Sequence, residues 1–219
     1  MSTPTAPTRR PYRGSCHCGQ TRYVVFLTLP HVPQPAEAPI PGPDPKQVFA
    51  RCNCTICQKI GTFHIRVPFA PDDFLVLSPA DPLGGDLGNY QRRPPPTGLR
   101  FLFCKDCGTR CFTFLGEGER VEVDLSALGV VVRELDGDGD GGEKKKKTMV
   151  WRPKREGWKE GKANGCYLSV NGQSVEAGQE GFDLVQFVER DWVLYWDYLE
   201  LHGEAKPGRY GVPHEFGAY

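Results

Sequence analysis

The chain lacks a long apolar run. Its first residues, Met1 to Tyr12, are polar and proline-containing, so neither a secretory leader nor a membrane span is expected there, and the expected compartment is the cytoplasm, with the nucleus as the other candidate. It also lacks a surplus of either charge. The 27 basic and 27 acidic residues cancel, which removes the basic excess that nucleic-acid binding ordinarily requires. Helix-permitting stretches are scarce as well. With 26 glycines and 20 prolines in 219 residues, short strands joined by loops are expected instead of long helices. Calcium binding is excluded by a further lack. Asp136, Asp138, Asp140 and Gly141 imitate the start of a calcium loop, but Lys147 stands where the bidentate glutamate would have to be.

Cysteine is what the chain does have: nine residues, too closely spaced for a disulfide framework in a reducing compartment. The densest stretch is Arg51-Cys52-Asn53-Cys54-Thr55-Ile56-Cys57-Gln58-Lys59-Ile60-Gly61. Three sulfurs two and three positions apart can aim at one point, where their thiolates repel unless a soft cation sits between them, and zinc is the expected cation.

Two pairs flank this triple, Cys16-His17-Cys18-Gly19 and Cys104-Lys105-Asp106-Cys107-Gly108. Each ends in glycine, the residue that turns the backbone toward a metal at positive φ. Cys16, Cys18, Cys104 and Cys107 read as two halves of one tetrahedral, structural site. Cys52, Cys54 and Cys57 then leave one corner open, as a catalytic zinc does, unless Cys111 supplies an eighth sulfur and both sites are structural. Cys166 stands alone and reads as a small apolar residue. His17 and His64 read as hydrogen-bonding residues beside the metal knuckles.

With 39% apolar residues the chain suits one domain, 13–200, preceded by a flexible tail, 1–12, and followed by an extension, 201–219. Strands are expected over Thr21 to Leu29, Thr62 to Phe69, Phe74 to Leu77, Gly88 to Arg92, Leu99 to Phe103, Thr109 to Leu115, Arg120 to Leu125 and Cys166 to Val175. A short helix is expected around Leu184 to Val188. Two loop insertions are expected, 30–46 for its prolines and 133–165 for its Asp-Gly and lysine runs. The aromatic group Trp192, Tyr195, Trp196 and Tyr198 reads as a core element, with a ligand pocket as the alternative.

The order C-x-C-G, C-x-C-x2-C with a glycine four residues on, then F-C-x2-C-G-T resembles the glutathione-dependent formaldehyde-activating enzyme family, which includes centromere protein V. The resemblance covers Arg13 to Leu125 and, more faintly, Cys166 to Tyr198. It implies a mainly β, β-tent (Mss4-like) fold over two zinc sites, with Cys16, Cys18, Cys104 and Cys107 structural and Cys52, Cys54 and Cys57 catalytic. The activity implied is that of a carbon-sulfur lyase, joining a small thiol such as glutathione to formaldehyde or a related electrophile; the charge balance and the lack of an apolar run, for their part, leave no nucleic-acid or membrane partner expected. A non-catalytic, zinc-stabilised binding module is the alternative. Thr55 and Gln58 stand where the family commonly has serine and arginine, so Lys59, Arg51 or Arg66 would have to supply the charge for an anionic thiol.

Overall fold

The computed structural model describes residues 6–33, 46–91, 98–131, 147–161, 166–199 and 206–215. Their architecture is mainly β, with short strands, little helix and extensive loops. In chain order the elements are β1 (Thr8–Ser15), β2 (Arg22–Leu29), β3 (Val48–Cys52), α1 (Thr55–Ile60), β4 (His64–Arg66), α2 (Ala70–Asp73), β5 (Phe74–Ser78), β6 (Gly88–Gln91), β7 (Arg100–Phe103), β8 (Arg110–Leu115), β9 (Gly118–Asp124), β10 (Lys147–Pro153), β11 (Tyr167–Asn171), α3 (Leu184–Glu189), β12 (Val193–Asp197) and β13 (Lys206–Tyr210). They form a five-stranded sheet, β1-β2-β5-β10-β9, and an eight-stranded sheet, β13-β12-β3-β4-β11-β8-β7-β6. Every pairing is antiparallel except β12 with β3.

Three expectations are corrected. The segment 1–12 is not a tail throughout, because Thr8 to Tyr12 belong to β1, which pairs with β2 along its whole length. Its polar look comes from its place at the sheet edge, where Pro11 breaks no inner ladder. Tyr12 turns inward and donates its hydroxyl to the Glu180 carbonyl at 3.0 Å. The insertion 133–165 is interrupted by β10, whose Thr148-Met149-Val150-Trp151 core was hidden beside the lysine run. Residues 34–45 and 92–97 and the Asp-Gly run within 132–146 lie outside the described residues. The extension 201–219 contributes β13, paired with β12.

The principal core lies between the sheets. Strand β2 reads as a continuous apolar run because both its faces are covered. Tyr23, Val25 and Leu27 join Phe74, Val76 and Trp151 from the first sheet, and meet Phe49, Ile65, Phe112, Phe114 and Val170 from the second. Phe74 packs on Phe112 with ring centroids 5.0 Å apart, and Trp151 meets Phe114 edge-on at 5.4 Å. The outer face of the larger sheet carries a smaller cluster, Val48, Ala50, Cys52, Cys57, Leu194 and Trp196. Alternation along β3 and β12 sends Cys52 and Trp196 to this face, and Phe49, Arg51 and Tyr195 to the other.

Candidate metal centres

Each flanking cysteine pair occupies the turn of a hairpin. Cys16 follows β1, and its N–H donates to Thr21 O at 2.9 Å while Gly19 N–H returns to Cys16 O at 3.0 Å. The second knuckle repeats the pattern between β7 and β8, with Cys104 N to Thr109 O and Gly108 N to Cys104 O, both at 2.9 Å. Gly19 and Gly108 sit at φ 76° and 73°, a conformation other residues resist. The first hairpin belongs to the five-stranded sheet and the second to the eight-stranded one. Their approach brings the ligand atoms of Cys16, Cys18, Cys104 and Cys107 within 4.8 Å of one another.

The spacing fits a metal. Cys18 Sγ lies 3.5 Å from both Cys16 Sγ and Cys104 Sγ, far beyond the ~2.05 Å of a disulfide and near the ~3.8 Å edge of a tetrahedron of sulfurs about 2.3 Å from a central ion. All nine cysteines are free. Thr109 ties the knuckles together, accepting from His17 N at 3.3 Å. Its hydroxyl, 3.3 Å from Cys107 Sγ, also holds that thiol down at about 5, in favour of the thiolate a metal requires.

The triple is assembled differently. β3 ends at Cys52, Asn53 continues the extended chain, and α1 opens after Cys54, so Cys54 and Cys57 lie one helical turn apart. Gly61 closes α1 in the left-handed conformation at φ 64° and sends the chain back as β4. The ligand atoms of Cys52, Cys54 and Cys57 all fall within 4.8 Å of one another. Almost fully buried Asn53 pins this loop to the end of β12, donating to Asp197 Oδ1 at 2.7 Å and accepting from Tyr198 N at 2.7 Å.

The thiols constrain one another. Hydrogen bonds accepted from Cys52 and Cys57 hold the Cys54 thiol down, contact with Cys54 pushes Cys52 up, and contacts first with Cys52 and then with Cys54 push Cys57 up. Ionising all three thiols together is opposed by their mutual repulsion and burial. A divalent cation removes that penalty and lets all three ionise.

The surroundings were only partly legible in the sequence. His64 lies opposite Ala50 in the β3–β4 pairing, on the sulfur-bearing face. Its Nε2 is 3.2 Å from Cys57 Sγ and its Nδ1 2.9 Å from Ser169 Oγ. Burial holds the imidazole down at about 4, so it is neutral in the fold at pH 7. Spacing in the chain identified His64 as a neighbour of the triple, but nothing local pointed to Ser169, which β11 brings in from more than a hundred residues away. The aromatic group divides. Trp192 and Tyr195 enter the main core, whereas Trp196 stands by the cysteines with its ring 5.6 Å from that of His64.

Cys111 does not complete the triple. It is buried in β8, its thiol pushed well up by burial, and the sulfurs it feels are Cys16, Cys104 and Cys107. Among the described residues the metal-compatible groups are one set of four cysteines and one set of three, and Cys166 belongs to neither. No helix among the described residues is long and apolar enough to cross a membrane. Comparison of the chain with protein-family models, curated proteins and solved structures finds no match.

Proposed function

We propose that the chain is a zinc-dependent enzyme of the carbon-sulfur lyase type, adding a small thiol such as glutathione to formaldehyde or a related electrophile. The observation that carries this reading is the inequality of the two clusters: four convergent sulfurs between the sheets, three on the outer face of one sheet. Four thiolates complete a tetrahedral shell, and three leave a corner for a guest. Bound at the triple, zinc would supply a site where a guest thiol is held in its nucleophilic, thiolate form. The overall reaction balances without redox chemistry: a sulfur–carbon bond forms, the carbonyl π bond opens, and the thiol proton ends on oxygen. The ordered cysteine motifs and their resemblance to the formaldehyde-activating family support the choice of chemistry.

The protein's own residues would shape the site. Asn53 fixes the loop bearing the sulfurs, and Trp196 and Ile56 pack in the apolar cluster that holds Cys52 and Cys57. Of the cations considered for an anionic thiol, Arg66 shares the face of Cys52 and His64, since it pairs with Val48 and Ser169. Arg51 alternates to the core face, over the Phe63 ring, and Lys59 is exposed on α1. Arg66 is therefore the candidate partner for a carboxylate.

The test is to measure zinc per chain, with two expected, and then to titrate glutathione into cobalt-substituted protein. A changed ligand-field spectrum with saturating glutathione is expected, followed by formaldehyde-dependent product. An unchanged spectrum overturns the thiol-ligand mechanism, and a changed spectrum without product leaves a binding module.

A further inference from the structure

The outer face of the larger sheet carries buried polar side chains in register. His64 and Arg66 on β4 stand opposite Asn171 and Ser169 on β11, and Ser169 in turn stands opposite Thr113 on β8. Within this row one line of contacts runs to the triple. Tyr167 lies two residues before Ser169 on β11, on the same face, Ser169 Oγ is 2.9 Å from His64 Nδ1, and His64 Nε2 is 3.2 Å from Cys57 Sγ. The Trp196 ring covers the imidazole at 5.6 Å with a 38° tilt.

The atoms fix the proton positions. A metal-held thiolate only accepts, so Nε2 must carry the hydrogen that faces Cys57. Nδ1 then has only a lone pair, which the rotatable Ser169 hydroxyl satisfies by donating. Cys52 receives a different donor, the Cys54 N–H at 3.4 Å. Among the described residues Cys57 is the one of the three with a ring donor seated by a second side chain, an arrangement that orients a ligand and withdraws electron density from it.

We propose that His64, seated by Ser169, is a positioning residue for the three-cysteine centre: its Nε2–H donates to Cys57 Sγ, fixes that ligand's orientation and weakens that sulfur as a donor. This rests on the metal reading given above. The consequence is functional. A weaker third sulfur leaves more of the cation's charge for the open corner, offsetting the poor Lewis acidity that three full thiolate donors would impose, so a guest thiol is held more firmly as its anion.

The experiment uses the full chain loaded with cadmium, followed by cadmium NMR without any thiol substrate. Wild type should give two resonances, one for four sulfurs and one for three. His64→Leu should move the three-sulfur resonance and leave the other in place, which also reports an intact fold. His64→Gln, whose amide can still donate, should lie between the two, and Ser169→Ala should move the same resonance in the same direction by less. A chelator should strip the triple about 10 to 100 times more readily in His64→Leu than in wild type. A three-sulfur resonance unmoved in all three variants overturns the proposal while leaving the metal site standing. Should His64→Leu fail to fold, an unmoved resonance in His64→Gln and Ser169→Ala overturns it equally. A wild type with only the four-sulfur resonance overturns the metal reading of the triple, and this proposal with it.

Discussion

Cys111 and His31 show how much one buried side chain can decide. Cys111 is 1% exposed and lies among the four-sulfur ligands without being needed by them. Cys111→Ser should therefore leave the metal count per chain at its wild-type value while lowering stability by about 1–3 kcal/mol, the cost of burying a poorly matched hydroxyl, read as a shifted urea midpoint. Loss of one metal would restore Cys111 as a ligand. His31 is buried against the edge of Phe49, with ring centroids 4.8 Å apart, and its Nδ1 is 3.4 Å from Gln47 Nε2. Burial holds this imidazole down at about 4. The unfolded chain takes up a proton near pH 6.5 and the folded one only near 4, so between those values the unfolded state binds more protons and stability falls as the pH falls. The stability of wild type relative to His31→Leu should decline by up to about 3 kcal/mol from pH 6.5 to 4. Urea titrations of both proteins across that range measure it, and a constant difference would show that His31 is not buried in its neutral form.

At the level of elements, legibility depended on whether a segment's partner lay nearby in the chain. Strand β2 announces itself because both its faces are apolar, and β7 and β8 because they flank a knuckle. β1 does not, since Thr8-Arg9-Arg10-Pro11 is polar and only its partner β2 makes it a strand. Arg9 meets Asp73 of α2 at 2.8 Å, a contact that no local pattern foretells. The tail reading fails most clearly at Tyr12, which is 2% exposed and packs on Phe182 with ring centroids 5.7 Å apart. Tyr12→Ala should cost about 3–5 kcal/mol in a denaturant titration, the usual loss for a large aromatic removed from a core. A loss under about 0.5 kcal/mol, as expected of a mobile tail, would contradict the observed β1. The aromatic cluster at 192–198 teaches the same lesson, because composition placed it in the core whereas strand alternation divides it between the core and the sulfurs.

Across the whole molecule the two clusters have unequal mechanical roles. The four-sulfur set joins a hairpin of one sheet to a hairpin of the other, so a metal held there would close the structure across the principal core. The triple is built within the β3–β4 connection of a single sheet. Graded chelation should thus remove metal in two steps, the first from the triple with little change in thermal midpoint, the second from the four-sulfur site together with cooperative unfolding. A single step, or unfolding that accompanies the first metal, would contradict this division. The sequence by itself determined the ligand chemistry, the grouping of three sulfurs and the glycine at each knuckle, because spacings of two and three residues and a positive φ are local properties of the chain. The matching knuckles also pointed to Cys16 and Cys18 meeting Cys104 and Cys107, which the packed sheets bring together, but only the tertiary structure decided that Cys111 stays outside the triple and that Ser169 seats His64 against Cys57. Those contacts span tens to more than a hundred residues and exist only once two sheets have paired and packed.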